Sequence, residues 1–135
     1  MSFRVGKVCP VVTREATGGR EILAFRHPLA GCQLVKGTIE AGETAIAAAV
    51  RELAEEAGIV ASVSADMGRS SSIAEGQSWH FFAMETGILP ENWVHRCADD
   101  GGHDFAFFWY ALAETPDAGW HPIFVQALDY VRERS

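Results

Sequence analysis

Apolar and polar positions along the chain predict a series of strands. Valine-rich residues 3–13 and the segment 21–26 are predicted as strands, separated by the turn signal Thr17-Gly18-Gly19. Pro10 indicates an edge position or a bulge, because proline donates no hydrogen bond to a sheet. Further strands are predicted at residues 59–65, 79–85 and 104–113. The last of these contains FAFFWYAL, which is apolar on both faces and therefore predicts a central strand covered on both sides.

Two helices are predicted from apolar residues at helical spacing. Residues 44–57 contain strong helix formers and no glycine or proline, and Gly58 follows where a C-terminal cap belongs. Their apolar stripe is predicted to face the core and consists of Ile46, Val50, Leu53 and Ala57. The carboxylates of Glu52, Glu55 and Glu56 are predicted to project from the other side. The second helix, residues 122–132, has its apolar positions at Ile123, Phe124, Ala127, Leu128 and Val131.

Several strands with one helix in the middle and one at the end predict an α+β fold, in which helices flank a mixed sheet. The length of 135 residues and the absence of repeats or low-complexity linkers favour a single domain over residues 1–135. The net charge of −7 disfavours a protein that coats nucleic-acid backbones.

The cysteines and the lengths of the apolar runs indicate the cellular compartment of the protein. Cys9, Cys32 and Cys97 are widely spaced and odd in number, which indicates neither a disulfide framework nor a zinc site. No run approaches the roughly 18 apolar residues of a membrane span, and no signal peptide is recognisable. We therefore expect a cytoplasmic protein without a membrane partner.

The glutamates of the first helix carry the candidate chemistry. Residues three and four apart lie side by side on a helix, so the carboxylates of Glu52, Glu55 and Glu56 form one acidic cluster. Such a cluster is often solvated surface. Here a glycine-bearing loop precedes it, and Mg²⁺ typically takes a few carboxylates together with substrate phosphates. The pattern therefore indicates metal-assisted phosphoryl chemistry.

The stretch 37–59, GTIEAGETAIAAAVRELAEEAGI, resembles the Nudix box of the MutT-like Nudix hydrolases. Its fixed positions are all met, by Gly37, Glu43, Arg51, Glu52, Leu53, Glu55, Glu56, Gly58 and Ile59. Val35 departs from the proline that many relatives carry before the lysine. The resemblance implies a Nudix α/β/α sandwich and an enzyme that hydrolyses a diphosphate bond with Mg²⁺ or Mn²⁺.

The resemblance also implies roles for individual residues. Glu52, Glu55 and Glu56 would bind the metal together with the Gly37 carbonyl, and Glu52 would lie nearest the attacking water. Glu43 and Arg51 would complete the catalytic set as an ion pair that fixes the loop against the helix, because arginine can grip a carboxylate in two-point fashion.

Site residues outside the box are less defined by the sequence. Lys36, directly before the box, is a candidate for substrate binding, as are the rings of Trp79 and Trp93 near polar loops. A further metal-binding carboxylate is often found outside the box, and the candidates are Glu75, Asp99, Asp100 and Asp104. Each of these acids could equally stabilise a turn.

The substrate is expected to be a small nucleotide-type diphosphate, namely a nucleoside triphosphate, a dinucleoside polyphosphate or a nucleotide sugar. Residues 72–76 lack the proline of ADP-ribose hydrolases and the tyrosine of certain dinucleoside polyphosphate hydrolases. Nucleic acid is disfavoured, except that the 5′ end of RNA is left open. A homodimer is possible. The alternatives are a non-catalytic Nudix-like module that senses a nucleotide or binds a protein, and a prenyl diphosphate isomerase, which would need an additional acid and a thiol near the metal.

Overall fold

The computed structural model describes residues 4–98 and 101–135, which form two β-sheets and two helices. The strands are β1 (Val5–Val11), β2 (Thr13–Ala16), β3 (Gly19–His27), β4 (Gly31–Gln33), β5 (Gly37–Thr38), β6 (Ser62–Ser70), β7 (Gln77–Glu85), β8 (Trp93–Cys97) and β9 (His103–Ala111). The helices are α1 (Ala45–Ala57) and α2 (Pro122–Arg134). The predicted α+β class is confirmed.

The first sheet has the order β5-β1-β7-β6 and is mixed, because β1 and β7 run parallel from Val5↔Gln77 to Val11↔Ala83. The second sheet is antiparallel, with the order β2-β3-β9-β8 and β4 paired to β3. Strand β9 is thus an interior strand, as predicted. β5 pairs with β1 only at Lys7 and Val8, so Pro10 lies beyond this pairing, at a locally open edge.

The first helix has the ends that its sequence predicts. The Thr44 hydroxyl accepts a hydrogen bond from the Ala47 amide at 3.1 Å, which caps the N-terminus. At the other end Gly58 adopts a left-handed conformation with φ 72°, and its amide donates to the Ala54 carbonyl at 3.0 Å. Glycine reaches this conformation without steric cost, so it ends the helix.

The inward face of α1 differs from the predicted one. Ala48, Ala49, Leu53 and Ala57 are buried, together with Glu52 and Glu56. Ile46, predicted to face the core, is 53% exposed, so that assignment is wrong. The prediction that all three glutamates project away from the core is also wrong. The reason is that part of the inward face lines a cavity, where carboxylates replace apolar side chains.

The core consists of two clusters on different sides of the sheets. Alanines and Leu53 of α1 pack against Val8, Phe25, Phe82 and Phe107 in the first. Apolar residues of α2 pack in the second, with Ile22, Trp79 and Phe81. The buried residues of α2 include Phe124, Ala127, Leu128 and Val131, as its spacing predicts, whereas Ile123 is half-buried.

Short strands account for most of the difference from the predicted elements. β2, β4, β5 and β8 were not predicted, and the strand predicted at 59–65 is shifted to β6. Neither described helix combines the length and the apolar character that crossing a bilayer demands.

Candidate active site

A cavity of about 550 Å³ lies against the inward face of α1. Glu52, Glu55 and Glu56 all line it. Glu52 and Glu56 are only 7% and 9% exposed, while the Glu55 side chain is 47% exposed. Removing a carboxylate from water is costly unless a cation or hydrogen-bond donors compensate. The buried carboxylates of Glu52 and Glu56 therefore require a positive charge nearby.

Arg51 supplies part of that charge from within the same helix. Its Nε and Nη2 donate to the two oxygens of Glu43 at 2.7 and 2.8 Å, which is the two-point grip predicted for this pair. Its Nη1 donates to Glu52 Oε1 at 2.8 Å and to Glu55 Oε2 at 3.2 Å. Nη2 also donates to the Thr38 carbonyl at 3.0 Å. One guanidinium thus joins the loop, β5 and two helix glutamates.

The Glu43 carboxylate is held in its charged form. The hydrogen bonds from Arg51 lower its pKa to about 2, and the backbone amide of Glu40, 3.1 Å away, acts in the same direction. The charge of Arg51 is fixed likewise, because Glu43 and Glu52 raise its pKa. The pair is therefore ionised at neutral pH.

Gly37 lies directly against Glu52. A Cβ atom at position 37 would overlap the Glu52 carboxylate, so only glycine fits without displacing this side chain. The absence of a side chain lets the backbone of β5 approach the carboxylate closely. This contact places the backbone of Gly37 beside the glutamate cluster, as the resemblance implies.

The donor set suits a hard divalent cation. Carboxylates and a backbone carbonyl are the oxygen ligands that Mg²⁺ and Mn²⁺ accept. Within residues 4–98 and 101–135, no three His, Cys, Asp or Glu side chains converge in a ready-made cation site. Between Glu52 and Glu55 the Arg51 guanidinium provides the compensating charge.

The rest of the cavity lining is largely basic and partly aromatic. It includes Lys7, His27, Gln33, Lys36, His103 and Phe105. The His27 ring lies 4.8 Å from the ring of His103 and 5.3 Å from that of Phe105. Of these residues the sequence predicted only Lys36. The others come from separate strands, and no motif connects them in the sequence.

The tryptophans predicted to bind substrate lie elsewhere. Trp79 is completely buried in the second core cluster and donates to Gln77 at 2.8 Å, so no ring face is open to a base and the prediction is wrong. Trp93 does not line the cavity and stacks on Phe107 with centroids 5.1 Å apart. It packs the structure and gives the predicted role no support.

Trp93 and His95 of β8 hold the C-terminal turn of α1. The Trp93 indole donates to the Ala57 carbonyl at 3.1 Å, and His95 Nε2 lies 3.0 Å from the Glu55 carbonyl. The last carbonyls of a helix have no partner within the helix. Strand β8 supplies these partners and fixes the turn that carries Glu55.

The two described candidate carboxylates outside the box do not line the cavity. Glu75 is exposed, and Asp104 is exposed and paired with Arg96 at 3.3 Å. Asp99 and Asp100 lie outside the described residues. Glu40 lines the cavity instead, 3.6 Å from Arg51. It was missed because it occupies a variable position of the box.

The chain is similar in sequence to one family and in fold to several solved structures. The NUDIX domain family matches residues 4–128. Similar solved structures include an ADP-ribose pyrophosphatase of Streptococcus suis (TM-score 0.67, 14% identity, 97% of this chain and 92% of that one). Others are the ORF135 protein of E. coli (0.65, 22%, 98% and 91%) and the NUDIX domain of Shewanella oneidensis NrtR complexed with ADP ribose (0.61, 17%, 99% and 90%). These likenesses establish the fold. A search of curated proteins by sequence found no match.

Proposed function

This chain belongs to the Nudix family, and on that premise we propose that it is a divalent-metal-dependent pyrophosphohydrolase that cleaves the diphosphate of a small nucleotide-type substrate. The observation that carries the proposal is the burial of Glu52 and Glu56 at the wall of the cavity, beside Gly37. An isolated acidic surface patch would not bury carboxylates, because their desolvation would cost stability without any return.

Glu52, Glu55 and Glu56 would hold the cation together with the Gly37 carbonyl. When bound, Mg²⁺ or Mn²⁺ supplies Lewis acidity that neutralises diphosphate charge and acidifies the attacking water. Glu52 would orient that water, and its own orientation is fixed by Arg51 at 2.8 Å. Preorganised groups of this kind lower a barrier because they need no rearrangement during the reaction.

Arg51 and Glu43 would act as positioning residues. Their two-point ion pair ties the loop before α1 to the helix, and the same guanidinium reaches the Thr38 carbonyl of β5. The backbone of Gly37 and the carboxylate of Glu52 are thereby held at a fixed separation. Such placement of non-reacting parts contributes to rate through orientation.

The substrate classes left open by the sequence all belong in a screen: nucleoside triphosphates, dinucleoside polyphosphates, nucleotide sugars and the 5′ end of RNA. ADP-ribose is added because a similar structure is an ADP-ribose pyrophosphatase and another is complexed with ADP ribose. Both phosphate and mononucleotide products are measured, with Mg²⁺ and with Mn²⁺.

The test compares three proteins on the best substrate. Glu52→Gln is expected to lower kcat by two or more orders of magnitude, roughly the cost of removing one preorganised electrostatic group, with the circular dichroism spectrum unchanged. The matched control is Glu75→Gln, which changes an exposed glutamate outside the cavity and should leave kcat unchanged. Near-normal turnover by Glu52→Gln would refute the assignment.

The two alternatives predict different outcomes. A non-catalytic module would bind nucleotides without metal-dependent product release. An isomerase would depend on a thiol, and Cys97, buried and on the cavity wall, occupies a suitable place. Cys32 lines a separate depression with Trp120. A pyrophosphohydrolase retains turnover in Cys97→Ala, whereas a thiol-dependent isomerase loses it.

A further inference from the structure

Both lysines of the protein face the same cavity. The sequence contains lysine only at positions 7 and 36, against nine arginines. Lys7 lies on β1 and Lys36 in the segment just before β5, and both line the cavity that Glu52, Glu55 and Glu56 also line. Residues of one type from two separate segments therefore meet at a single site.

The Lys7 ammonium group is held in place by the fold. Lys7 is the register partner of Thr38 in the β1–β5 ladder, and its Nζ donates to Thr38 Oγ1 at 2.6 Å. The Thr38 carbonyl in turn accepts from Arg51. Lys7 is thus tied to the strand that presents Gly37, so its position is coupled to that of the glutamate cluster.

The two lysines differ from Arg51 in their ion pairs. Arg51, at the same cavity, lies within 4 Å of four carboxylates, those of Glu40, Glu43, Glu52 and Glu55. Throughout the described part of the chain, neither lysine forms an ion pair. The Arg51 charge is therefore balanced by the protein, whereas the two ammonium charges remain available to an anion.

The two ammonium groups are also close enough to affect each other. Burial lowers the pKa of Lys7, and the charge of Lys36 lowers it further, while Glu52 opposes this change. Two like charges brought together in a partly buried site repel each other. An anion bound between them would relieve that repulsion, which makes the wall complementary to phosphate oxygens.

We infer that Lys7 and Lys36 together form a diphosphate-binding subsite in the cavity that the glutamates of α1 line. The inference rests on the proposed function and adds Lys7 as a substrate-binding residue. The cation held by the glutamates would take some of the phosphate oxygens, and the two lysines would take others. Ammonium groups bind phosphate as compact point charges, with up to three hydrogen bonds each.

The first test measures binding without turnover. Imidodiphosphate, a diphosphate analogue that resists hydrolysis, is titrated calorimetrically with Mg²⁺ into the wild type and into Lys7→Met. Loss of a charge-assisted contact is expected to weaken binding about tenfold or more. Lys7→Arg should recover most of this loss, and Arg69→Met, which removes an exposed charge outside the cavity, should bind as the wild type does. Equal affinity of Lys7→Met and the wild type would overturn the inference.

The second test needs no substitution and therefore does not depend on whether a variant folds. Reductive methylation with ¹³C-formaldehyde labels both lysines and the N-terminus, which gives few signals to assign. Imidodiphosphate with Mg²⁺ should shift both lysine signals in the NMR spectrum. A shift of the Lys36 signal alone, or of neither, contradicts the subsite. Wild-type protein that binds imidodiphosphate through both lysines but hydrolyses no substrate would refute the proposed function and leave the subsite standing.

Discussion

Replacing Arg51 with lysine should destabilise the protein although the positive charge is kept. Arg51 makes five hydrogen bonds, to both oxygens of Glu43, to Glu52, to Glu55 and to the Thr38 carbonyl. An ammonium group has three donors and no planar fork, so at least two of these bonds are lost. A hydrogen bond to a charged group contributes about 1.5–3 kcal/mol to the free energy of unfolding. Because Arg51 is partly exposed, this contribution is reduced, and the loss of two bonds should lower the free energy of unfolding by about 2–4 kcal/mol.

Thermal and urea unfolding followed by tryptophan fluorescence would measure this loss. At roughly 4 °C per kcal/mol for a domain of this size, Tm should fall by roughly 8–16 °C. In a Glu43→Gln background the effect of Arg51→Lys should be smaller, since the two-point grip is already broken. Additive effects, or a loss below about 1 kcal/mol in Arg51→Lys alone, would show that the ion pair does not hold the loop.

The same pair gives a pH dependence whose sign follows from Glu43. Its pKa is lowered from 4.5 to about 2 by the hydrogen bonds from Arg51 and the Glu40 amide. The unfolded chain therefore binds a proton at a higher pH than the folded protein does. The stabilisation is fully present above about pH 4.5 and is lost as the pH falls towards 2. The stability difference between the wild type and Glu43→Gln should shrink over this interval, and a constant difference would contradict the assignment.

Three further predictions follow from single contacts. Gly37→Ala should lower kcat by at least about tenfold, because the new Cβ displaces Glu52 and misplaced catalytic groups are costly; unchanged kinetics would exclude a close Gly37–Glu52 approach. His95→Leu should weaken Mn²⁺ binding several-fold in electron paramagnetic resonance titrations, because the Glu55 carbonyl loses its hydrogen-bond partner. His95→Gln should retain more affinity, and equal affinities of the two variants would show that His95 does not position Glu55. Thr44→Ala should cost about 1 kcal/mol of stability through loss of the N-cap, and an unchanged urea midpoint would argue against it.

Elements with local signals could be predicted from the sequence. Helix α1 is bounded by Thr44 and Gly58, and each of these caps bonds to a residue within the adjacent turn of the helix, so its signal is local in the sequence. Long strands such as β7 and β9 carry enough apolar residues to be recognised. The short strands β4 and β5 have only three and two residues, too few to show a pattern in the sequence. β4 forms a hairpin with the preceding strand β3, whereas β5 forms because β1, which is distant in sequence, lies beside it.

The site was only partly predictable for the same reason. The motif gave the glutamates and Arg51, but helical periodicity assigned Glu52 and Glu56 to the outward face, because it treats any inward position as apolar. The Lys7 side chain reaches the cavity through the pairing of β1 with β5, which no local pattern encodes. The prediction for Trp79 failed in the other direction. Its ring is close to a polar loop in the sequence and was expected to be accessible to substrate, but the fold buries it completely.

The alanines of α1 have a consequence for the position of the glutamates. Ala48 and Ala49 are completely buried where the helix packs on the first core cluster, so these two small side chains let the helix axis approach the sheets closely. The carboxylates of Glu52 and Glu56 are thus brought to the cavity by neighbouring positions that carry no charge. A larger side chain such as valine at either alanine would overpack this contact and displace the helix that carries them.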